Sequence, residues 1–348
     1  MRRRHWWMGL AAAIALAVGQ LPGPAAAKDK LDIVMSSTGF LYLPALAAKE
    51  LGYFDAEGID AEITTTGGGA KALAAVVGGD AQIYVGVPSS AFRARAKGTD
   101  VIVFGASMTQ FGSNFVMSGD WAKKHGITEK SPYEEKLKAL KGMVVGVTSA
   151  GSGTDQVVRF LAKEAGLDPA RDLTITALGT GDAMTAALIQ NRINGFTHSS
   201  PVGENAVKNH GAIMFLNTSR GEVKALDGFF YIGHIARESW LKKNEDLAVR
   251  YLRAVQKALD TMHGPDTAKA RDAVHDAYHA KTDKELYDYT WENTLPAFPK
   301  SVVITDRMVK TVVDFMNEYE KEPIDPKLVE KAWTNEYAKK AVASLGKS

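Results

Sequence analysis

Met143-Val144-Val145-Gly146-Val147-Thr148-Ser149-Ala150-Gly151-Ser152-Gly153-Thr154 runs from an apolar strand (143–147) into a loop of glycine and small hydroxyl residues (148–154). A helix carrying Lys163-Glu164-Ala165-Gly166 follows. After it come a strand (173–178), Gly179-Thr180-Gly181, another helix, a strand (193–197) and Ser199-Ser200-Pro201. The first third of the chain has the same order. It holds a strand (31–35), the loop Ser36 to Gly39, a helix with Lys49-Glu50-Leu51-Gly52 and a strand (61–66). Gly67-Gly68-Gly69, a helix, a strand (82–87) and Pro88-Ser89-Ser90 complete it. The Lys-Glu pairs lie 114 residues apart and the Ser-Ser pairs 110 apart. Two matched strand-loop-helix halves predict an α/β fold of two similar lobes. Their polar loops face each other across a cleft, as in a hinged small-molecule binder.

The rest of the chain is divided around that repeat. Arg2-Arg3-Arg4, the apolar run Trp6 to Val18 and Ala25-Ala26-Ala27 predict a cleaved secretory signal peptide at 1–27. Lobe one is expected at 28–115, lobe two at 116–225, and lobe one again at 226–348. The segment Asn114 to Ser118 crosses outward and the apolar run Gly228 to Ala236 reads as the returning strand, giving a two-strand hinge. The stretches 246–262 and 306–319 have apolar residues at helical spacing and predict helices packed on lobe one.

Composition excludes several classes. With 45% hydrophobic and 24% charged residues the chain is not a disordered one. Without residues 1–27 it has 39 basic and 40 acidic residues, so no broad pull toward nucleic acid is expected. It has no cysteine, hence no disulfide, thiolate metal site, cysteine nucleophile or lipid-attachment cysteine. No nucleophile elbow, paired metal-ligand histidine motif or calcium loop is present. The expectation is therefore no catalytic residue, no metal and no cofactor.

Ligands of parallel α/β sheets sit at the carboxyl ends of the strands. Four segments occupy such positions: Ser36, Ser37, Thr38 and Gly39; Pro88, Ser89 and Ser90; Ser152, Gly153 and Thr154; Ser199 and Ser200. Each offers N–H groups and short hydroxyls at a helix start, where negative charge is favoured. Any one of them is equally a plain N-cap; the repeated layout of four points to a binding cleft. The Gly-Ser-Gly loop at 151–153 lacks the ending of a nucleotide phosphate loop and the dinucleotide fingerprint.

Aromatic neighbours could floor the pocket. Phe40 is the first choice, with Tyr42, Phe111, Phe229, Phe230 and Tyr231 less decided; on an alternating strand only one of Phe229 and Phe230, taken as Phe230, faces the cleft. Gln110 and Asn114 supply amide donors or belong to a turn. Glu204 meets a ligand ammonium or ring N–H, or lies on a solvated helix face. Asp155 complements the helix dipole. His198 reads as a structural donor, and His275 with His279 as surface residues.

The segments Leu46-Ala47-Ala48-Lys49-Glu50-Leu51-Gly52-Tyr53-Phe54 with Glu57-Gly58-Ile59, Val77-Gly78-Gly79-Asp80-Ala81-Gln82, and Gly142 to Thr154 carry a resemblance. The chain resembles the periplasmic substrate-binding proteins of ABC importers, in the nitrate/taurine/aliphatic-sulfonate group and its thiamine-precursor-binding relatives. The resemblance covers about residues 30–235. It implies a type II-like two-lobed periplasmic-binding-protein fold, capture of a small-molecule ligand in the periplasm by a monomer, and delivery to an ABC permease in the inner membrane. It implies that the four loops contact the ligand. Relatives often place an aromatic and an acidic residue before the proline matched by Pro201; here Ser199 and Ser200 stand there. A small organic acid or sulfonate is the first expectation and a neutral heterocycle or aromatic compound the second. The competing classes are a pyrimidine-synthesis enzyme on the same fold, which needs a lysine absent from the four loops, and a soluble ligand-sensing partner of a membrane receptor.

Overall fold

The computed structural model describes residues 27–319 and 323–346. The expected signal peptide lies outside these residues except for Ala27. Among the described residues, no helix is long and apolar enough to cross a membrane.

The chain first lays down β1 (Asp29–Met35), α1 (Leu43–Glu50), α2 (Tyr53–Ala56), β2 (Ile59–Thr65), α3 (Gly69–Gly78), β3 (Ile83–Gly86), α4 (Pro88–Ala96) and β4 (Ile102–Met108). It then crosses to β5 (Ser113–Ser118), α5 (Gly119–His125), α6 (Tyr133–Lys138), β6 (Val144–Val147), α7 (Gly153–Glu164) and β7 (Thr174–Ala177). There follow α8 (Gly181–Ile189), β8 (Gly195–Ser199), α9 (Val202–His210) and β9 (Ala212–Leu216). It returns as β10 (Ile232–Ala236), and the helices α10 (Glu238–Lys243), α11 (Glu245–His263), α12 (Thr267–Tyr278), α13 (Lys284–Thr294), α14 (Asp306–Tyr319), α15 (Pro326–Val329) and α16 (Glu336–Ala343) end it.

The repeat in the sequence is a repeat in the sheets. One sheet has the order β2-β1-β3-β10-β4 and the other β7-β6-β8-β5-β9. In each, the first three strands are parallel. The fourth runs antiparallel to both neighbours. That fourth strand is the one the chain delivers from the other sheet. The inner parallel strands β1, β3, β6 and β8 are largely buried on both faces, as helices cover both; on the edge, β2 alternates, with Ile59 and Ala61 buried and Asp60 and Glu62 exposed.

The returning strand is shorter than its apolar run. Residues 228–231 are not strand, because they make the crossing, and Tyr231 is tied there by its N–H to the Met108 carbonyl at 3.0 Å. The alternation argument for Phe229 and Phe230 therefore does not apply.

Helix α11 has one buried stripe, Ala248, Tyr251, Leu252, Val255, Leu259 and Met262, at helical spacing. It packs with α12 on α1, and against α16, which reaches β4. Beyond the expected packing on the first sheet, α13 touches α9 and α14 touches α7. A file of rings follows the second contact: Phe160 to Phe315 at 6.0 Å, Phe315 to Phe229 at 5.3 Å, Phe229 to Phe111 at 5.4 Å and Phe111 to Tyr231 at 4.6 Å. It joins α7 to both crossings.

An ion cluster fixes α11 to the first sheet. Glu57, just past α2, is 8% exposed. It accepts from Arg253 Nε at 2.8 Å and Lys257 Nζ at 2.6 Å. Burial pushes the Glu57 carboxyl up, but the hydrogen bonds and charges of Arg253 and Lys257 outweigh it and hold the group below its ordinary value. A carboxyl lowered in this way stabilises the fold above its unfolded value, and the gain is lost as pH falls through the folded one. Glu57→Gln is expected to cost about 1–3 kcal/mol near neutral pH, by leaving two cations under-paired. Urea unfolding should show that gap from wild type shrinking as the medium is acidified below the ordinary carboxylate range.

Candidate ligand-binding site

The carboxyl ends of β1, β3, β6 and β8 carry the four loops, and the crossings 109–112 and 217–231 lie between the sheets. At β1, the Ser36 hydroxyl meets the Tyr42 hydroxyl, and Ser37 Oγ accepts from Gly39 N–H. The Thr38 carbonyl accepts from His279 Nε2 at 3.1 Å. Phe40 is fully buried, with its ring 5.0 Å from Tyr287 and 5.3 Å from His279. Phe40 is thus a core residue seated on α13 and the end of α12 rather than a cleft floor. The histidines are not surface residues either. His275 is 9% exposed and edge-on to Tyr287, and His279 holds the first loop.

At β3, Pro88 opens α4 and Ser90 Oγ donates to the Val87 carbonyl at 2.7 Å, while Ser89 is half-buried. Tyr84, which the sequence reading passed over, reaches this end of the strand. Its hydroxyl accepts from Val87 N–H at 3.4 Å. The ring can lie there because Gly86, two residues on and on the same face, has no side chain. A Cβ on Gly86 would fall 1.9 Å from the Tyr84 ring, and one on Gly69 would fall 2.6 Å from its hydroxyl. The pattern Tyr-x-Gly closing a strand was the available signal. Beside it, α3 and α4 leave an apolar groove of about 480 Å³ lined by Leu73, Val77, Tyr84, Val87 and Ala94.

At β6, the loop hydroxyls build the loop itself. Ser152 Oγ accepts from Asp155 N–H and so caps α7. Thr148, Ser152 and Thr154 hydroxyls lie 2.7–2.9 Å from one another. Asp155 accepts from Gly151 N–H at 2.8 Å and pairs with Arg159 at 2.9 Å, a first-turn acid as expected. Gly153 faces the crossing: a Cβ there would stand 3.0 Å from the Tyr231 hydroxyl. The first N–H groups of a helix have no partner inside it, so this turn presents donors beside Tyr231.

The crossings add their own groups. The Tyr231 hydroxyl is 3.1 Å from Ser113 Oγ. Gln110 Nε2 donates to Asp227 at 2.7 Å, and Asp227 also pairs with Arg307 at 3.0 Å. Gln110 Oε1 is buried without a partner. Phe230 is fully buried with its ring tip toward Gly233 of β10, a core placement. Burial pushes the Tyr42 and Tyr84 hydroxyls up and Tyr231 up to about 12, and Tyr42 adds to the rise at both of the others. They stay neutral hydrogen-bonding groups at any ordinary pH.

At β8, His198 donates from Nδ1 to the Ser199 carbonyl at 3.0 Å, and burial holds its ring below the ordinary histidine value. Ser199 is half-buried, and Ser200 is buried. Ser200 Oγ donates to Glu204 Oε1 at 2.7 Å, and Asn114 Nδ2 donates to the same oxygen at 3.0 Å. Glu204 is 0% exposed, which overturns the solvated-face reading. Among the described residues no cluster of three or more histidine and acidic side chains could hold a metal.

The NMT1/THI5 like family matches residues 40–268 of this chain. The chain belongs to that family. Its fold is shared with a solved protein of Bordetella bronchiseptica RB50, at 24% identity and a TM-score of 0.73, over 92% of this chain and 99% of that one. It is also shared with the alkanesulfonate-binding protein SsuA from Xanthomonas axonopodis pv. citri bound to MOPS, at 15% identity and a TM-score of 0.67, over 89% and 100% of the two chains. A curated relative, YtlA of Bacillus subtilis (strain 168), is 23% identical over 276 residues, 76% of this chain and 75% of its own. The fold is the two-lobed one of ABC-type periplasmic binding proteins.

Tyr231→Phe keeps the ring file and removes the hydroxyl between Ser113 and Gly153. It is expected to cost about 0.5–1.5 kcal/mol in denaturant unfolding, the worth of one hydrogen bond. Ligand-induced stabilisation should fall by more than that if the hydroxyl touches the ligand.

Proposed function

We propose that this chain is the solute-binding component of an ABC importer. It captures a small organic anion, a sulfonate or carboxylate, in the periplasm and delivers it to the inner-membrane permease. The parts 28–115 with 226–348 and 116–225 act as two lobes, and closing about the crossings encloses the ligand. The protein works as a monomer, without cofactor, after loss of its signal peptide.

One observation carries the reading: the first turn of α7 faces Tyr231 across Gly153, with hydroxyls of Ser113 and Thr148 to Thr154 close by. Oriented N–H groups and neutral hydroxyls at a helix start hold an anion without a counter-charge. The phenols of Tyr42, Tyr84 and Tyr231 add donors that do not ionise.

A second reading is favoured by the same inventory. The four loops carry no lysine or arginine. Three tyrosines kept neutral suit an uncharged, hydrogen-bonding heterocycle or aromatic compound equally well, stacked or edge-on to a ring.

A thermal-shift screen of residues 28–348 against sulfonates, nitrate, aromatic carboxylates, pyrimidines and pyridoxal phosphate separates these outcomes. A ligand at 100 times its Kd stabilises the folded state by about 2.7 kcal/mol and raises the melting temperature. A sulfonate or carboxylate recovered unchanged is the expected hit. A shift with neutral pyrimidines alone selects the second reading, and one with pyridoxal phosphate alone would overturn the carrier.

A further inference from the structure

The carboxyl of Glu204, in the first turn of α9, is buried with one oxygen unpaired. It is 0% exposed. Oε1 receives Ser200 Oγ at 2.7 Å and Asn114 Nδ2 at 3.0 Å, and the Glu204 backbone N–H in the first turn of α9 also favours the charged form, but burial outweighs them. Oε2 is buried with no partner. An ionised carboxylate has two acceptor oxygens to satisfy, and leaving one bare in the interior is costly. A protonated one needs only a single well-served oxygen.

The surroundings point the same way. On β5, Asn114 uses its other end to accept from Thr218 Oγ1 at 3.2 Å and Ser219 N–H at 3.1 Å, at the start of the second crossing. Ser219 Oγ is also buried without a partner. From the C-terminal part of the chain, Thr294 Oγ1 reaches Ser200 Oγ at 3.3 Å. One cluster therefore ties β5, α9, the second crossing and the end of α13. Among the described residues, no lysine or arginine figures in the shift of Glu204. Tyr289 on α13 feels Glu204 together with Glu129 beside β9 and Arg220 in the second crossing, so these titratable and charged groups share its surroundings. On β8, His198 is the register partner of Asn114 and is held neutral. At the far end of the α9–α13 contact, Lys208 pairs with Asp283 at 3.2 Å and Glu285 at 3.1 Å, on the surface.

We propose that Glu204 is a positioning residue that works as the neutral acid. In that form it holds Ser200 and Asn114 in place and seats α9 on α13; as the carboxylate it draws in water and loosens that contact. Burial raises its carboxyl above the ordinary 4.5. The stabilisation is fully present below that ordinary value and is lost as pH rises through the raised one. Contact between the α9 side and the α13 side thus becomes proton-dependent, through a residue next to candidate ligand contacts on β8.

The chain has no cysteine, so labels can be placed cleanly. Asn209→Cys and Glu292→Cys, both exposed, put a spin-label pair on α9 and α13 of the full chain. From the ordinary carboxyl value of 4.5 up to about pH 9 the label distance is expected to lengthen and broaden in the wild-type background and to stay short with Glu204→Gln, which mimics the neutral acid. No change with pH, or the same change in both backgrounds, overturns the proposal. Urea unfolding provides a second readout. The ratio of unfolding constants, wild type over Glu204→Gln, should rise by up to about tenfold per pH unit, the slope for one proton. A flat ratio overturns the neutral acid. Thr294→Val, which cuts the link to α13 without touching the charge, should weaken the contact and leave the pH slope of stability in place; loss of that slope would place the titrating group elsewhere.

Discussion

Each sheet depends on a strand that the other half of the chain must deliver. β10 sits between β3 and β4, and β5 between β8 and β9, each antiparallel to both neighbours. Withdrawing either would leave two rows of backbone groups unpaired inside a sheet, so neither lobe is complete without the crossings. One crossing is four residues long (109–112) and the other fifteen (217–231), and the second is folded into two short turns with its own hydrogen bonds. The Met108 carbonyl, the Tyr231 N–H and the turn Leu295–Ala297 hold the two crossings side by side.

From that constraint follows the place of the site. Strand ends from both sheets converge on the crossings, and the rings of Phe111 and Tyr231 stand where the two halves meet. Polar chemistry there is supplied by hydroxyls and amides. Such groups let one scaffold serve anions or neutral solutes with small changes, because specificity rests on donor and acceptor placement rather than on a fixed charge. The price of excluding charge shows at Glu204, where an acid is kept in the interior with one oxygen unpaired.

The repeat made the architecture readable. Strand, loop and helix returned in order, and the parallel trio β2-β1-β3 is matched by β7-β6-β8. Glycine and serine at strand ends also located the loops. Side-chain destinations were less readable. Phe40 lies one residue past a candidate loop, yet its ring goes to Tyr287, 247 residues later in the chain. His279 looked like surface because its partner, the Thr38 carbonyl, lies 241 residues away in the chain. Glu204 looked solvated because its spacing on α9 says nothing of what α13 covers.

The sequence alone determined two α/β halves, their strand-end loops and the absence of catalytic or metal motifs, because hydrophobic period, capping residues and glycine turns act within a few residues. Only the tertiary structure decided which aromatic rings became core, that Tyr84 reaches the site over Gly86, and that Glu204 is buried. Those outcomes depend on contacts between segments far apart in the chain, and burial and the state of an ionisable group are properties of the packed neighbours rather than of the residue.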